Sequence, residues 1–443
     1  MSETPQHLLL HDANAIEAAV SEWFQVEDTT LGLSHQPDTI RLRGVLKVPS
    51  HQAYPKLARA LGTLGYTALL QRDKSLGLDV LLAVPGVPVA AGKSRLWVNA
   101  LLYLLTLLAT LFVGVTWSDQ MPADADWAWM ATHLWMGWPF ALSLMVILTG
   151  HELGHYFAGR YYKVPVSLPY FIPMPIPPLG TMGAFIVMQG RTVDRRQMLT
   201  VGAAGPLVGF VLAIPLLILG LSLSTVGPML QPEPGTAVFV EGNSLLYLLV
   251  KYAMFGQILP GSGASVDFLQ ALGQIGAALF GLVPIDQGMD VHIHSVALAA
   301  WAGLLVTAFN LMPVGQLDGG HVLYSLVGQR ARLLTWPVIG FLVLLGLLFW
   351  QGWFLWAALI FLFGQSHPDP LDDITRLDAP RKLIAILVLL IFFLTFTPLP
   401  MQLILGEAPA AGSGQVLGLG VLVAWVVAAR RLGRPARGGS PLR

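Results

Sequence analysis

Leu144-Met145-Val146-Ile147-Leu148-Thr149-Gly150-His151-Glu152-Leu153-Gly154-His155-Tyr156-Phe157-Ala158-Gly159-Arg160 is the stretch whose reading decides the fold. His151 and His155 are four residues apart, so on a helix they share one face and can hold one Zn²⁺. Glu152 beside them is placed to take a proton from water. From Leu134 to Gly159 no acidic or basic group outside this motif interrupts the apolar run, which Arg160 ends. Ionisable side chains at membrane depth cost roughly 2.5–3.5 kcal/mol each on insertion scales, so they mark a functional site. The expectation is a hydrolytic metal site inside a membrane helix.

The rest of the chain agrees with a membrane setting. Only 11% of the 443 residues are charged, against about 25% in an ordinary soluble domain. Mean hydropathy is +0.65, which points to a polytopic protein of the lipid bilayer. Formal net charge is zero, so nothing suggests nucleic acid or a polyanionic partner. With no cysteine there is no thiolate ligand or nucleophile, and a metal must use His, Asp or Glu. Met1 to Gln25 carries Glu3, Asp12, Glu17 and Glu22 and no Lys or Arg, unlike a secretory or transit signal. A prokaryotic plasma membrane is the expected location, with a thylakoid-type membrane as the second choice.

Residues 1–93 read as a small soluble α/β domain with a regulatory or docking role, ferredoxin-like in outline. Ala13–Phe24 has a helical stripe, Thr39–Lys47 alternates like a half-buried strand, and Ser50 opens a second helix. Tyr66–Gln71 and Leu78–Val84 read as strands. Apolar segments near 96–116, 133–159, 199–223, 296–313, 334–350, 352–364, 382–403 and 415–430 follow, about eight spans or half-spans. The fold class expected is thus an all-α polytopic membrane protein with a re-entrant loop or β-hairpin, behind the α/β domain.

Basic residues set the orientation. Lys93 and Arg95 precede the first segment; Arg160, Lys163, Arg191, Arg195 and Arg196 follow the second. Arg330, Arg332, Arg376, Arg381 and Lys382 flank later ones, and a basic tail, 431–443, closes the chain. All fall on the cytoplasmic side if 334–364 is a hairpin turning near Gln351-Gly352, which puts both termini in the cytoplasm. Residues 224–293 then form an extracytoplasmic insert.

Two histidines leave a catalytic zinc one protein ligand short. Asp318, in Asn310-Leu311-Met312-Pro313-Val314-Gly315-Gln316-Leu317-Asp318-Gly319-Gly320-His321, is the best candidate. Pro313, Gly315 and the Gly319-Gly320 pair break the helix, which suits a side chain turned to a cavity. His155 lies five residues before Arg160, about 7.5 Å from that boundary, and Asp318 lies just inside the same edge of its own segment.

His-Glu-x-x-His on one apolar helix, with Asn-x-x-Pro-x-x-x-x-Asp-Gly (Asn310, Pro313, Asp318, Gly319) on a later one, resembles the site-2 protease family of intramembrane zinc metalloproteases. Pro177–Ala184 and Gly202-Ala203-Ala204-Gly205-Pro206 resemble the branch of the chloroplast and cyanobacterial homologues, without a PDZ-like module. The resemblance covers roughly 96–325. It implies a catalytic membrane core over 94–325, with accessory helices over 326–430. It further implies one zinc per chain held by His151, His155 and Asp318, Glu152 as base, and Asn310 positioning substrate or stabilising an oxyanion. The substrate implied is a transmembrane protein, and a regulatory partner could act on the N-terminal domain. Two other readings stay open: a membrane-embedded protease of soluble or lipidated proteins, and a metal-binding transporter that has no need of Glu152.

Other metal-capable groups have plainer readings. His321 is expected at an interface, with a fallback role as ligand, and His292 and His294 form an interfacial pair on the opposite side. His367-Pro368-Asp369-Pro370 with Asp372 and Asp373 reads as a solvated turn, with a docking loop as its rival. The proline-rich segment Lys163–Arg196 cannot sustain a helix. It is read as a re-entrant hairpin beside the site, offering a strand edge to an extended substrate.

Overall fold

The structure, a computed structural model, describes residues 6–33, 36–73, 75–86, 95–122, 124–229, 237–261, 268–283, 288–364 and 369–405. The chain divides into a large unit, 1–229 with 240–402, and a small one, 230–239 with 403–443. The site and every element that packs around it belong to the large unit.

The N-terminal elements are α1 (Gln6–Val20), β1 (Phe24–Leu33), β2 (Gln36–Leu46), α2 (Ser50–Thr63), β3 (Tyr66–Arg72) and β4 (Asp79–Pro85). The strands make one antiparallel sheet in the order β1-β2-β4-β3. Alternation sends Ile40, Leu42, Ala68, Leu70, Leu81 and Ala83 to one face, where they pack with Ala13, Ile16 and Val20 of α1 and Ala53, Leu57 and Leu61 of α2. Segment β2-α2-β3-β4 is the split β-α-β unit of ferredoxin-like folds, but α1 and β1 precede it where that fold has them last. The first helix stops at Val20 rather than Phe24, which begins β1.

Then come α3 (Leu96–Val115), α4 (Trp127–Thr132), α5 (Trp138–Tyr161), β5 (Tyr170–Pro173), β6 (Thr181–Phe185) and α6 (Arg195–Ser222). The insert holds β7 (Thr225–Pro228), β8 (Ala237–Glu241), α7 (Leu245–Phe255), α8 (Phe268–Leu279) and β9 (Met289–His292), with β7 and β9 paired. The remaining elements are α9 (Ser295–Asn310), α10 (Asp318–Val327), α11 (Thr335–Leu348), α12 (Gly352–Phe363), α13 (Ala379–Thr395) and β10 (Met401–Leu405).

Four stretches are long and apolar enough to cross a membrane: Leu96–Val115, Leu134–Tyr161, Arg195–Ser222 and Asp318–Leu348. The expected count of about eight is therefore not met by length among the described residues. Ser295–Asn310 and Gly352–Leu362 are shorter apolar helices, and 415–430, like the tail, lies outside the described residues. Helices α11 and α12 pack on each other around a turn at 349–351, with Gly346 against the Phe354 ring, so 334–364 is a hairpin. Leu101, Leu104 and Leu108 on α3, Leu344 and Leu347 on α11, and Leu387, Leu390 and Phe393 on α13 point outward, as a lipid-facing surface requires.

Helix α9 is buried on all sides. Its small residues let neighbours come close: a Cβ on Gly303 would lie 2.8 Å from Ile147 of α5, and one on Gly220 of α6 would meet Ala297 backbone at 2.1 Å. Strands β5 and β6 form an antiparallel hairpin laid along α3. Asn99 Nδ2 donates to Pro169 O at 2.8 Å at one end of α3, and Trp117 Nε1 donates to Pro178 O at 3.0 Å just past the other. Those two residues are about 27 Å apart along a helix, so the hairpin runs the length of a helix able to cross a bilayer. Non-helical backbone at such depth survives only where protein or a water-filled cavity shields it.

Segment 369–378 is no solvated turn. Leu70 N–H donates to Leu371 O (2.7 Å) and Asp373 N–H to Leu70 O (2.9 Å), while Asp372 N–H donates to Val193 O (2.6 Å). Residues 371–373 thus form a parallel strand between β3 and 192–194. Arg195 pairs with Asp373 at 2.9 Å and Arg332 with Asp369 at 2.7 Å. Tyr324 O–H reaches Asp369 (2.7 Å), and Ser50 Oγ and Thr375 Oγ1 share a hydrogen bond of 2.8 Å. The solvated-turn reading is thus corrected for Asp369, Asp372 and Asp373, which are all held within the chain; His367 lies outside the described residues.

Candidate metal centre and active site

Helix α5 starts with Pro139 in its first turn and carries His151, Glu152 and His155, all buried. Asp318 arrives from far along the chain. Helix α9 ends at Asn310, the chain turns through Pro313 and Gly315 (φ 59°), and α10 begins at Asp318. The turn folds back so tightly that a Cβ on Gly319 would lie 1.9 Å from Leu311 O. A carboxylate in the first turn of α10 also sits favourably against the helix dipole.

His151 Nε2 and His155 Nε2 are 3.2 Å apart, and Asp318 Oδ2 lies 3.4 Å from the first and 3.2 Å from the second. A tetrahedral zinc with bonds of about 2.0–2.1 Å needs donor separations of about 3.3–3.4 Å. The three atoms therefore stand as three corners of a zinc coordination shell, and among the described residues they form the one such group of His, Asp and Glu. His155 Nδ1 donates to Val201 O at 2.7 Å. That bond fixes the tautomer and leaves the Nε2 lone pair for a metal.

Helix α6 lies against α5 through glycines. A Cβ on Gly154 would come within 2.7 Å of Ala204 O, and one on Gly205 would fall 2.1 Å from His155 Nε2. Gly209 faces His151 and Gly202 faces His321 in the same way. These glycines and Val201 O were not assigned roles from sequence; their three- and four-residue spacing on an apolar helix was the available signal. Asn310 Nδ2 lies 3.3 Å from His151 Nε2. A lone pair that ligates zinc cannot also accept that hydrogen, so with metal held the amide is left for another partner.

The site opens into a cavity of about 940 Å³ lined by His151, Glu152, His155, Asn310 and Asp318 together with residues 184–192. His321 lines it as well and is buried, which corrects the interfacial reading: it lies one turn after Asp318 on the same face of α10. It stands outside the metal group. His292 Nε2 hydrogen-bonds Pro228 O (2.8 Å), and His294 Nδ1 caps α9 by accepting from Val296 N–H (3.3 Å).

Residues 139–349 match Peptidase family M50. The chain is similar to the probable zinc metalloprotease EGY1, chloroplastic, of Arabidopsis thaliana, with 29% identity over 69% of this chain and 54% of that protein. EGY2, chloroplastic, of the same plant is 31% identical over 62% of this chain and 44% of its own length. EGY1 of Oryza sativa subsp. japonica is 28% identical over 70% and 52%. The chain spans about half the length of these curated relatives. No solved structure matches. The relatives are chloroplastic, which lends no support to a prokaryotic plasma membrane.

Proposed function

We propose that this chain is an intramembrane zinc metalloprotease that hydrolyses peptide bonds in or near the transmembrane segments of other membrane proteins. The observation that carries this is the zinc-sized triangle of His151, His155 and Asp318, with Glu152 buried beside it, among helices apolar enough for a bilayer. Bound zinc would acidify water and polarise the scissile carbonyl. Glu152, facing the cavity, takes the proton and returns it to the leaving amine. Asn310 holds the substrate carbonyl or its oxyanion. The hairpin β5–β6 offers its second strand and the following residues 184–192 to an extended chain. A helical substrate shields its carbonyls, so it must unwind before it is cut.

Both chain ends are proposed to face the cytoplasm. Arg195 and Arg332 both pair with aspartates of segment 369–373, which brings two of the basic clusters together and supports their lying on one side.

The test is cleavage of a model transmembrane substrate in liposomes by wild type and Glu152→Gln. The expected result is loss of at least a thousandfold in rate with zinc content unchanged. Substantial turnover by the zinc-loaded variant would remove Glu152 from the base role.

A further inference from the structure

Among the described residues the N-terminal sheet has helices on one face, and its other face is turned to the active-site cavity. By alternation Thr67 and Leu69 of β3 and Leu82 and Val84 of β4 share that face, in the register Thr67↔Val84 and Leu69↔Leu82. A sheet face left to water is normally polar; this half carries Leu69, Leu82 and Val84 beside Thr67 and Gln71. Gln36, Thr67, Leu69, Val84 and Leu371 line the same cavity as His151, Glu152, His155 and Asp318. Residues 184–192, on the strand side, line it too. Outside the metal group and its neighbours Glu152 and His321, Arg191 is the one charged side chain among the described lining residues. The domain is held in place by the 371–373 strand, which hydrogen-bonds to β3 on one side and to 192–194 on the other.

We infer that the uncovered face of this sheet is one wall of the substrate cleft, holding in extended form the uncharged stretch that flanks a substrate's transmembrane segment. The inference rests on the protease reading above. It gives the N-terminal domain a direct part in choosing substrates: a flank rich in charge meets Leu69 and Val84 and loses its hydration for nothing. A flank of small or apolar residues fits a cavity at the upper end of the usual ligand-pocket range.

The chain has no cysteine, so single introduced thiols report position cleanly. In full-length Glu152→Gln protein, Leu69→Cys is paired with a model substrate carrying one cysteine in its flank and treated with a short bismaleimide. A covalent adduct is expected, and Arg59→Cys, on the exposed side of α2, should give less than a tenth as much. In proteins active at Glu152, two substrates are compared, one with a long uncharged flank and one trimmed close to the membrane. Leu69→Asp should lower the ratio of long-flank to trimmed cleavage at least tenfold, and Arg59→Asp should leave it as in wild type. Both substrates are cut by one preparation, so poor folding lowers both rates and not their ratio. Equal adducts at the two positions, or an unchanged ratio in Leu69→Asp while wild type cuts both substrates, overturns this inference alone. Cleavage of neither substrate by wild type overturns the reading it rests on.

Discussion

His155 has two tasks at opposite ends of one ring. Its Nδ1 is tied to Val201 O at 2.7 Å, and its Nε2 faces the other two donors. The ring is clamped between that carbonyl and the missing side chain of Gly205. Gly205→Ala puts a methyl where the ligating nitrogen now stands, and the ring can escape only by leaving the metal. The expected result is a zinc affinity reduced by about 10–100-fold, the usual effect of disturbing a ligand's support, measured by competition with a chelator. Wild-type affinity in Gly205→Ala would show that the ring is not so confined. The histidine pair was legible in sequence because a four-residue spacing on a helix puts two side chains on one face. The support was not, since a backbone carbonyl carries no sequence signal and His321 could not be placed without the fold of the turn before it.

At the scale of elements, the first strand and the short helices tested the sequence hardest. Strand β1 carries Glu27, Asp28 and Gly32 and shifts register twice, so it lacks a clean alternation to read. Helix α9 reads as a span by hydropathy, yet 13 of its 16 residues are buried in protein; hydropathy does not separate a buried helix from a lipid-facing one. The insert holds a test of its own. Lys251 is fully buried, 3.3 Å from Asp290, and Tyr247 O–H donates to Glu241 at 3.0 Å. Burial, then the charge of Asp290, raises the Glu241 carboxyl to about 7. A carboxyl raised on folding contributes stability in full below its unfolded value, near 4.5, and that contribution is lost as pH rises through about 7. Glu241→Gln, neutral throughout, should match wild type in thermal midpoint near pH 5 and exceed it at pH 8. Midpoints that differ equally at both pH values would mean that Glu241 titrates normally.

Across the whole molecule, an N-terminal α/β domain, a hairpin laid along α3, and helices separated by more than 150 residues enclose one cavity. Membrane character, the metal-binding motif and the remote aspartate could be read from composition and spacing alone. That the α/β domain turns one face of its sheet, with Leu69 and Val84, to that cavity could not, because it depends on residues 371–373 inserting between β3 and the start of α6. The proposed chemistry requires Asp318 to complete a site begun by His151 and His155. Zinc analysis of purified wild type and Asp318→Asn, after exhaustive dialysis against a weak chelator, tests this most directly. One zinc per wild-type chain and little or none in a still-folded Asp318→Asn is the result expected, and full retention of zinc by the variant would contradict it.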